Sequence, residues 1–211
     1  MNQRSGSVTG ERPRRGGQRR LRDRQREEAS RAILDAAEHV FGEEGLSARL
    51  DRVAARAGVA VGTLYNHFED RGSLVAALSR QRREALVARI DAALETTERS
   101  PFEEQLRAFV AAISAHAREH GRFLAALVQS GEGPARQLPR GSVIDVLVAR
   151  ADVLAERGVA SGALRREGAE RFGLALVALA RAFLLRQVLG GDDPAEVEPA
   201  VVDLFLRGCA R

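Results

Sequence analysis

Apolar residues recur at a helical spacing along most of this chain. Beginning near Gln25, they occupy one face of a helix at Ala29, Ile33, Ala36, Ala37, Val40 and Phe41. Gaps of three and four residues are typical of an amphipathic helix, whereas a half-buried strand alternates at every second residue. We find no strand alternation and no internal repeat, so the pattern predicts an all-α protein.

Glycine and proline divide this pattern into about nine helices. Gly42 and Gly45 end the first helix, and Gly58 separates two short ones. Pro101 is placed to begin a helix, because its fixed φ suits the first helical position. A loop is expected over residues 131–141. The predicted helices cover about residues 25–41, 50–57, 61–67, 71–94, 101–120, 123–129, 142–156, 169–189 and 197–206.

The composition is ordinary for a water-soluble globular protein. Of the 211 residues, 45% are hydrophobic and 29% are charged. No apolar run reaches the roughly 18 residues that a membrane-spanning helix needs, and the polar start lacks a secretory signal. The single cysteine, Cys209, excludes an internal disulfide framework and fits a reducing compartment. We therefore expect a cytoplasmic protein without a membrane partner.

The positive charge is concentrated at the N-terminus. All 33 basic residues are arginine, and residues 1–26 carry nine of them against Glu11 and Asp23, a net charge of +7. Residues 1–22 have no apolar period and are predicted to form a disordered Arg-rich arm. Such an arm is either a solubilising tail or a nucleic-acid contact. Contact is the better interpretation beside the helix pair described next, since guanidinium groups bind phosphate and enter narrow minor grooves.

The most informative stretch is residues 53–68, with the sequence VAARAGVAVGTLYNHF. It contains two short helices separated by Gly58, whose backbone freedom suits the turn between them. The small residues at positions 60–62 are predicted to contact DNA by letting the backbone approach it closely, while Leu64 and Phe68 are expected to face the core. In a helix-turn-helix, the second helix enters the major groove with its N-terminal residues nearest the bases. The stretch therefore predicts a DNA-binding element.

This stretch and its neighbours resemble the DNA-binding domain of the TetR family of transcriptional regulators. The motif positions outside residues 53–68 are Ile33, Leu34, Asp35, Ala36, Ala37, Phe41, Gly45 and Leu74. The resemblance covers about residues 29–75, and the remainder is similar only in its all-helical pattern and length. It implies three parts: the arm at 1–22, a helix-turn-helix DNA-binding domain at 23–70, and a helical effector-binding and dimerisation domain at 71–211.

The resemblance also implies which side chains touch DNA. Thr63, Tyr65, His67 and Arg71 would contact the backbone, and Val61, Gly62 and Asn66 would face base edges. Asn66 has the sharpest expectation, because an amide side chain can bond N6 and N7 of adenine together.

Two helix caps depart from the family pattern. Arg49 stands where Ser or Thr is common before the second helix, and Ala60 replaces a frequent Ser before the third. A lost hydroxyl cap costs about 1 kcal/mol, so these helices are expected to depend more on their buried faces. Arg49 and Arg52 are hypothesised to compensate by touching phosphate.

The larger C-terminal part carries an effector prediction and an assembly prediction. Candidate pocket residues, each open to interpretation as plain core, are Phe102, Leu106, Phe109, Phe123, Leu127, Leu147 and Phe172. The last two predicted helices are too apolar for one core to cover, and the family dimerises through such a pair. A homodimer would align two recognition helices with a palindromic operator in double-stranded DNA.

Other chemistry-bearing residues give weaker signals. His116 and His120 lie one helical turn apart, as two metal ligands could, but a partly exposed pair without metal is the better interpretation. No Ser/His/Asp or Cys/His arrangement and no phosphate-binding glycine loop stands out. We expect no cofactor, no metal and no enzymatic activity.

The sequence thus favours a ligand-responsive repressor that leaves its operator when a small molecule binds. An activator or an effector-independent regulator shares every motif and stays open. An enzyme that kept a vestigial DNA-binding domain is the remote alternative.

Overall fold

The computed structural model describes residues 15–131, 143–189 and 194–209. These residues form helices and turns without a β-sheet, which confirms the predicted all-α fold. In chain order the helices are α1 Arg15–Glu44, α2 Leu50–Ala57, α3 Val61–His67, α4 Arg71–Thr96, α5 Phe102–Ser130, α6 Val143–Ala160, α7 Arg166–Ala169, α8 Phe172–Val188 and α9 Pro194–Cys209. None of these helices combines the length and the apolar character that a membrane crossing requires.

Helix α1 begins well before its predicted start near residue 25. Residues 15–22 of the predicted disordered arm are helical, and residues 1–14 of that prediction lie outside the described residues. The spacing of apolar residues could not predict this extension, because residues 20–28 are exposed and bury no apolar face. Arginine, glutamine and glutamate are good helix formers, so they continue a helix that the buried Ile33 and Ala37 anchor.

Helix α5 is one helix where the sequence predicts two. Gly121 does not break it, since a single glycine costs only about 1 kcal/mol in a helix and tertiary contacts can override that cost. Its neighbours His120 and Phe123 are both buried against other helices. The helix ends instead at Gly131, which adopts a φ of 69°.

Helix α6 also runs past its predicted end, to Ala160. Gly158 lies inside the helix, where a Cβ atom would stand 2.8 Å from Phe102 Cε2 and 2.8 Å from Leu164 Cδ1. A larger residue would clash, so the glycine allows close approach rather than ending the helix. The connection between the helices predicted over 142–156 and 169–189 is consequently shorter, and its last part forms α7.

Two apolar cores hold the described helices together. The first, here called the helix-turn-helix core, joins α1, α2 and α3 to the first half of α4 and the second half of α5. The second, the C-terminal core, joins the other halves of α4 and α5 to α6, α8 and α9. Helices α4 and α5 therefore run through both cores. The boundary predicted at residue 70 stays a prediction, although Leu74 and Leu78 of α4 lie within the first core.

Candidate nucleic-acid interface

Helices α2 and α3 are joined by a tight turn at Gly58. This residue adopts a φ of 70°, in the left-handed region that favours glycine. Its N–H donates to the Ala55 carbonyl at 3.2 Å, and the Val59 N–H donates to the Ala54 carbonyl at 3.0 Å. The turn thereby satisfies carbonyl groups that the end of α2 would otherwise leave without partners.

Helix α3 has one buried face and one exposed face. Leu64 and Phe68 lie in the helix-turn-helix core, as predicted. On the opposite face Val61 is 42% exposed and Tyr65 is 51% exposed. Large apolar side chains at an accessible surface mark interaction sites when they cluster. The buried face therefore fixes the orientation in which α3 presents the other one.

The remaining predicted contact residues of the motif are also accessible. Ala60, Gly62 and Asn66 are exposed, and Thr63 and His67 are half-buried. A backbone without bulky side chains at the N-terminal end of α3 leaves room for a partner to come close, because a Cβ at Gly62 would meet no atom within 4 Å.

An open groove of about 410 Å³ lies beside this exposed face. It brings together four of the predicted contact residues, and its lining is Arg49, Leu50, Asp51, Val61, Tyr65, Asp70 and Arg71. The groove thus joins the start of α2, the exposed face of α3 and the start of α4 into one surface.

Arg49 and Arg52 carry ion pairs in the structure. Arg49 lies 2.8 Å from Asp51, and Arg52 lies 3.0 Å from Glu44. Both guanidinium groups are mostly exposed, where such pairs contribute little to stability and can be exchanged for another anion. Their contact with phosphate stays a prediction.

Arg71 has a role that the sequence did not reveal. Its Nη2 group donates to the Ser47 carbonyl at 3.2 Å and to the Ala48 carbonyl at 3.0 Å. These bonds tie the start of α4 to the loop before α2. No local spacing could indicate them, because the partners are more than 20 residues apart. A change at Arg71 would therefore disturb both the fold and any DNA contact.

Capping differs among the helices of this surface. Arg49 and Ala60 precede α2 and α3 without a side-chain cap. Before α4, by contrast, Asp70 accepts the Ser73 N–H at 2.7 Å while the Asp70 N–H donates to the Ser73 hydroxyl at 3.1 Å. The reciprocal bonds form a capping box that fixes where α4 begins.

The uncapped start of α3 gives a stability prediction. We expect Ala60→Ser to raise the free energy of unfolding by about 1 kcal/mol, because the hydroxyl would accept an N–H of the first turn. Urea unfolding measures the change. Ala55→Ser, at an exposed position inside α2, adds the same group where the backbone N–H is already bonded. Equal stability of the two variants would contradict the prediction.

His116 and His120 are buried, at 5% and 7% exposure, so the prediction of a partly exposed pair is wrong. Helices α1 and α4 cover this face of α5, which the sequence could not show. His120 Nδ1 lies 2.6 Å from Glu38 Oε1 of α1. Within the described ranges, no group of three or more His, Cys, Asp or Glu side chains is placed to hold a metal ion.

His116 provides a pH prediction. Burial, together with the nearby His120 and Arg89, lowers the pKa of His116 from 6.5 to about 4. Between these values the unfolded chain binds more protons than the folded one, so stability is full above pH 6.5 and falls as the pH drops toward 4. Thermal unfolding across this range should show a steeper loss for the native chain than for His116→Leu, which cannot be protonated there. Identical slopes would contradict the assignment.

The seven candidate pocket residues are all buried but do not form one group. Phe102, Leu106, Phe109, Leu147 and Phe172 lie in the C-terminal core. Phe123 and Leu127 lie in the helix-turn-helix core, because α5 continues past Gly121 into that part of the fold. An open groove of about 610 Å³ between the end of α1 and α5 contains none of the seven.

Comparisons with known proteins agree with this geometry. Residues 33–78 match the profile of the family described as bacterial regulatory proteins, tetR family. The chain is 37% identical over 98 residues to the HTH-type transcriptional activator FasR from Mycolicibacterium smegmatis, which covers 46% of this chain and 44% of that protein. The chain thus spans less than half the length of this curated relative.

Solved structures extend the likeness to most of the chain. The TetR transcriptional regulator SCO0520 from Streptomyces coelicolor is 28% identical with a TM-score of 0.58, over 86% of this chain and 98% of that one. The TetR family transcriptional regulator PfmR from Thermus thermophilus is 25% identical with a TM-score of 0.66, over 83% and 97%. Residues 33–78 therefore carry the helix-turn-helix domain of the tetR family of bacterial regulatory proteins, and most of the chain shares the fold of solved TetR-family regulators.

Proposed function

We propose that this protein is a cytoplasmic, DNA-binding transcriptional repressor that releases its operator when a small-molecule effector binds. The observation that carries the proposal is the exposed face of α3. Val61, Tyr65 and Asn66 project from a helix whose other face is fixed in the core by Leu64 and Phe68. A helix held in this way by a preceding helix and a tight turn has the geometry of a recognition helix in the major groove.

The proposed contacts divide by chemistry. Val61, Gly62 and Asn66 face base edges, where an amide can pair with adenine and an apolar group can contact a thymine methyl. Thr63, Tyr65 and His67 bond phosphate oxygens, which set the register of the helix without reading sequence.

Dimerisation is proposed to occur through α8 and α9. Leu174 of α8 is 58% exposed and Leu204 of α9 is 56% exposed, although each helix also buries residues in the C-terminal core. Apolar side chains left outside the core on two adjacent helices are suited to cover a second copy of the chain. The two α3 helices of such a dimer would read the halves of a palindromic operator.

The proposed release of DNA depends on α4. This helix shares Leu74 and Leu78 with the helix-turn-helix core and Ile90 and Leu94 with the C-terminal core. An effector that enters between helices of the C-terminal core would tilt α4 and change the separation of the two α3 helices. The mechanism requires that the effector bind the two arrangements with different affinity.

A transcriptional activator is the second candidate function. The observation in its favour is that FasR, the relative with 37% identity over 98 residues, is named an activator. The sign of regulation follows from where the operator lies relative to the promoter, so the same surface serves either function.

The test is binding of the purified protein to its own upstream DNA, with and without a panel of apolar ligands. We expect a protein–DNA complex that at least one ligand dissociates, and we expect reduced transcription from the bound promoter. Increased transcription would establish the activator instead. Failure to bind any DNA at low salt would overturn both.

Asn66→Ala should separate base reading from general affinity. We expect the variant to lose preference at one position in each half-site, by about 1–3 kcal/mol of discrimination, with little change on random DNA. Thr63→Val is the matched control, since it keeps a β-branched side chain but removes a proposed phosphate contact. It should weaken binding to all DNA sequences alike. Equal losses on operator and random DNA for Asn66→Ala would show that it does not read bases.

A further inference from the structure

A polar layer separates the two apolar cores where α4 passes between them. Leu78 of α4 is the last buried residue of the helix-turn-helix core, and Ile90 is the next buried residue, in the C-terminal core. The helix carries Gln81 and Arg82 between them. Arg82 is directed inward, since its side chain is only 14% exposed.

Helix α5 passes through the same layer in the opposite order. Ile113 belongs to the C-terminal core and Phe123 to the helix-turn-helix core. Between them lie the buried His116 and His120, whose rings are 4.5 Å apart. Both helices that connect the cores therefore direct polar side chains inward in the layer between the cores.

Glu38 of α1 is at the centre of this layer. One carboxylate oxygen lies 2.6 Å from His120 Nδ1 of α5, and the other lies 2.6 Å from Arg82 Nη2 of α4. All three side chains are at least 85% buried. A single carboxylate therefore connects α1, which belongs to the helix-turn-helix core, to both helices that run into the C-terminal core.

Further charges surround these three groups. Asp35 of α1 lies 3.3 Å from Arg82, and Glu119 of α5 lies 3.7 Å from His120 and also pairs with Arg89 of α4. Unlike Glu38, both carboxylates are about half exposed. Solvent screens their pairs, so the buried bonds of Glu38 are the ones that restrict geometry.

A buried charge network contributes little net stability, because desolvation cancels most of the attraction, and apolar residues of similar volume often do as well. Its best-attested effect is to specify one arrangement among several of similar energy. Apolar contacts are non-directional and tolerate sliding, whereas two short bonds to one carboxylate do not. Because the layer lies between the two cores, a small rotation of one core relative to the other at this point would change the orientation of α3.

We propose that Glu38, held by Arg82 and His120, is the positioning residue that keeps the helix-turn-helix unit in its DNA-binding orientation on the C-terminal helices. The inference rests on the proposed function only for its DNA readout. Movement of α4 changes the position of Arg82 relative to Glu38, and movement of α5 changes the position of His120 relative to Glu38. A displacement of either helix breaks one of the two bonds and releases the orientation.

The test replaces the network by apolar side chains of similar size, Glu38→Met with Arg82→Met and His120→Phe. Spin labels at Ala55→Cys in α2 and Ala149→Cys in α6, both exposed positions, with Cys209→Ser, measure the orientation between the two units. Doubly labelled protein is diluted with unlabelled protein so that distances within one chain dominate. Operator affinity and thermal unfolding are measured on the same variants.

We expect the triple variant to remain folded while its label distance broadens or shifts and its operator affinity falls about tenfold, as the competent fraction falls. Glu38→Gln is the second variant, since it keeps the volume but can no longer accept from both partners; it should change both readouts in the same direction. The matched control is Asp91→Asn. It removes an ion pair with Arg150 that joins α4 to α6 within the C-terminal half, and it should change neither the label distance nor the operator affinity.

Unchanged label distances in both network variants would overturn the proposal. A changed distance with unchanged operator affinity would also overturn it, because the layer would then be structural alone. If the native chain itself binds no DNA, the proposed function fails, whereas the label distances still decide whether Glu38 sets the orientation.

Discussion

Replacing Gly62 by glutamate is expected to abolish operator binding while leaving the protein at least as stable. Gly62 is the second residue of α3, is exposed, and offers open space around a Cβ. Glutamate is a better helix former than glycine by up to about 1 kcal/mol, and a negative charge in the first turn is favoured by the helix dipole. In the major groove the same charge would stand at the base edges between two rows of phosphates, and like-charge repulsion costs several kcal/mol, about 100-fold or more in affinity.

This variant is informative because operator affinity should fall while stability does not, whereas a damaged fold would lower both. Operator affinity by fluorescence anisotropy and stability by urea unfolding are the two measurements. Gly168→Glu introduces the same change at an exposed glycine of α7, also with no atom within 4 Å of a Cβ. If Gly62→Glu binds the operator as tightly as Gly168→Glu, α3 is not the recognition helix.

The second large effect is expected from Leu174→Glu combined with Leu204→Glu. Both leucines are exposed, and neither belongs to the C-terminal core that other residues of α8 and α9 form, so the changes should leave that core intact. Charges at the centre of an apolar interface would prevent association. A monomer binds one half-site at a time, and losing the link between two half-sites costs about 10²–10⁴ in affinity.

Light scattering at micromolar concentration and operator binding are measured together. Val128→Glu is the control, since it charges an exposed apolar residue on the end of α5 that packs with the helix-turn-helix core, away from α8 and α9. It should leave a dimer. A double variant that stays dimeric would rule out Leu174 and Leu204 as the centre of the interface, and a native chain that is monomeric would overturn the dimer itself.

Local chemistry made α2 and α3 predictable. The structure places both helices at the bounds that the sequence indicates, and Gly58 forms the turn between them. Leu64 and Phe68 are buried as expected, because the spacing of apolar residues within seven or eight positions directly reports which face packs inward. The capping box at Asp70 is likewise a local signal.

Long-range contacts account for what the sequence missed. Gly121 looked like a break, but the burial of His120 and Phe123 against other helices keeps α5 continuous. That continuity places Phe123 and Leu127 in the helix-turn-helix core, whereas the other five candidate pocket residues lie in the C-terminal core, and the pocket itself stays a prediction. The bonds of Arg71 to the loop before α2 join partners too distant in the chain for any spacing rule.

The sequence by itself determined the helical class, the helix-turn-helix and which residues lie on the exposed face of α3, because each depends on neighbours within a few turns. Only the tertiary structure decided that α4 and α5 run through two cores and that Glu38 meets Arg82 and His120 between them. Glu38 and His120 are 82 positions apart. A polar residue on one helix does not encode its partners on others, because the relative placement of helices is set by how all their apolar faces are covered together.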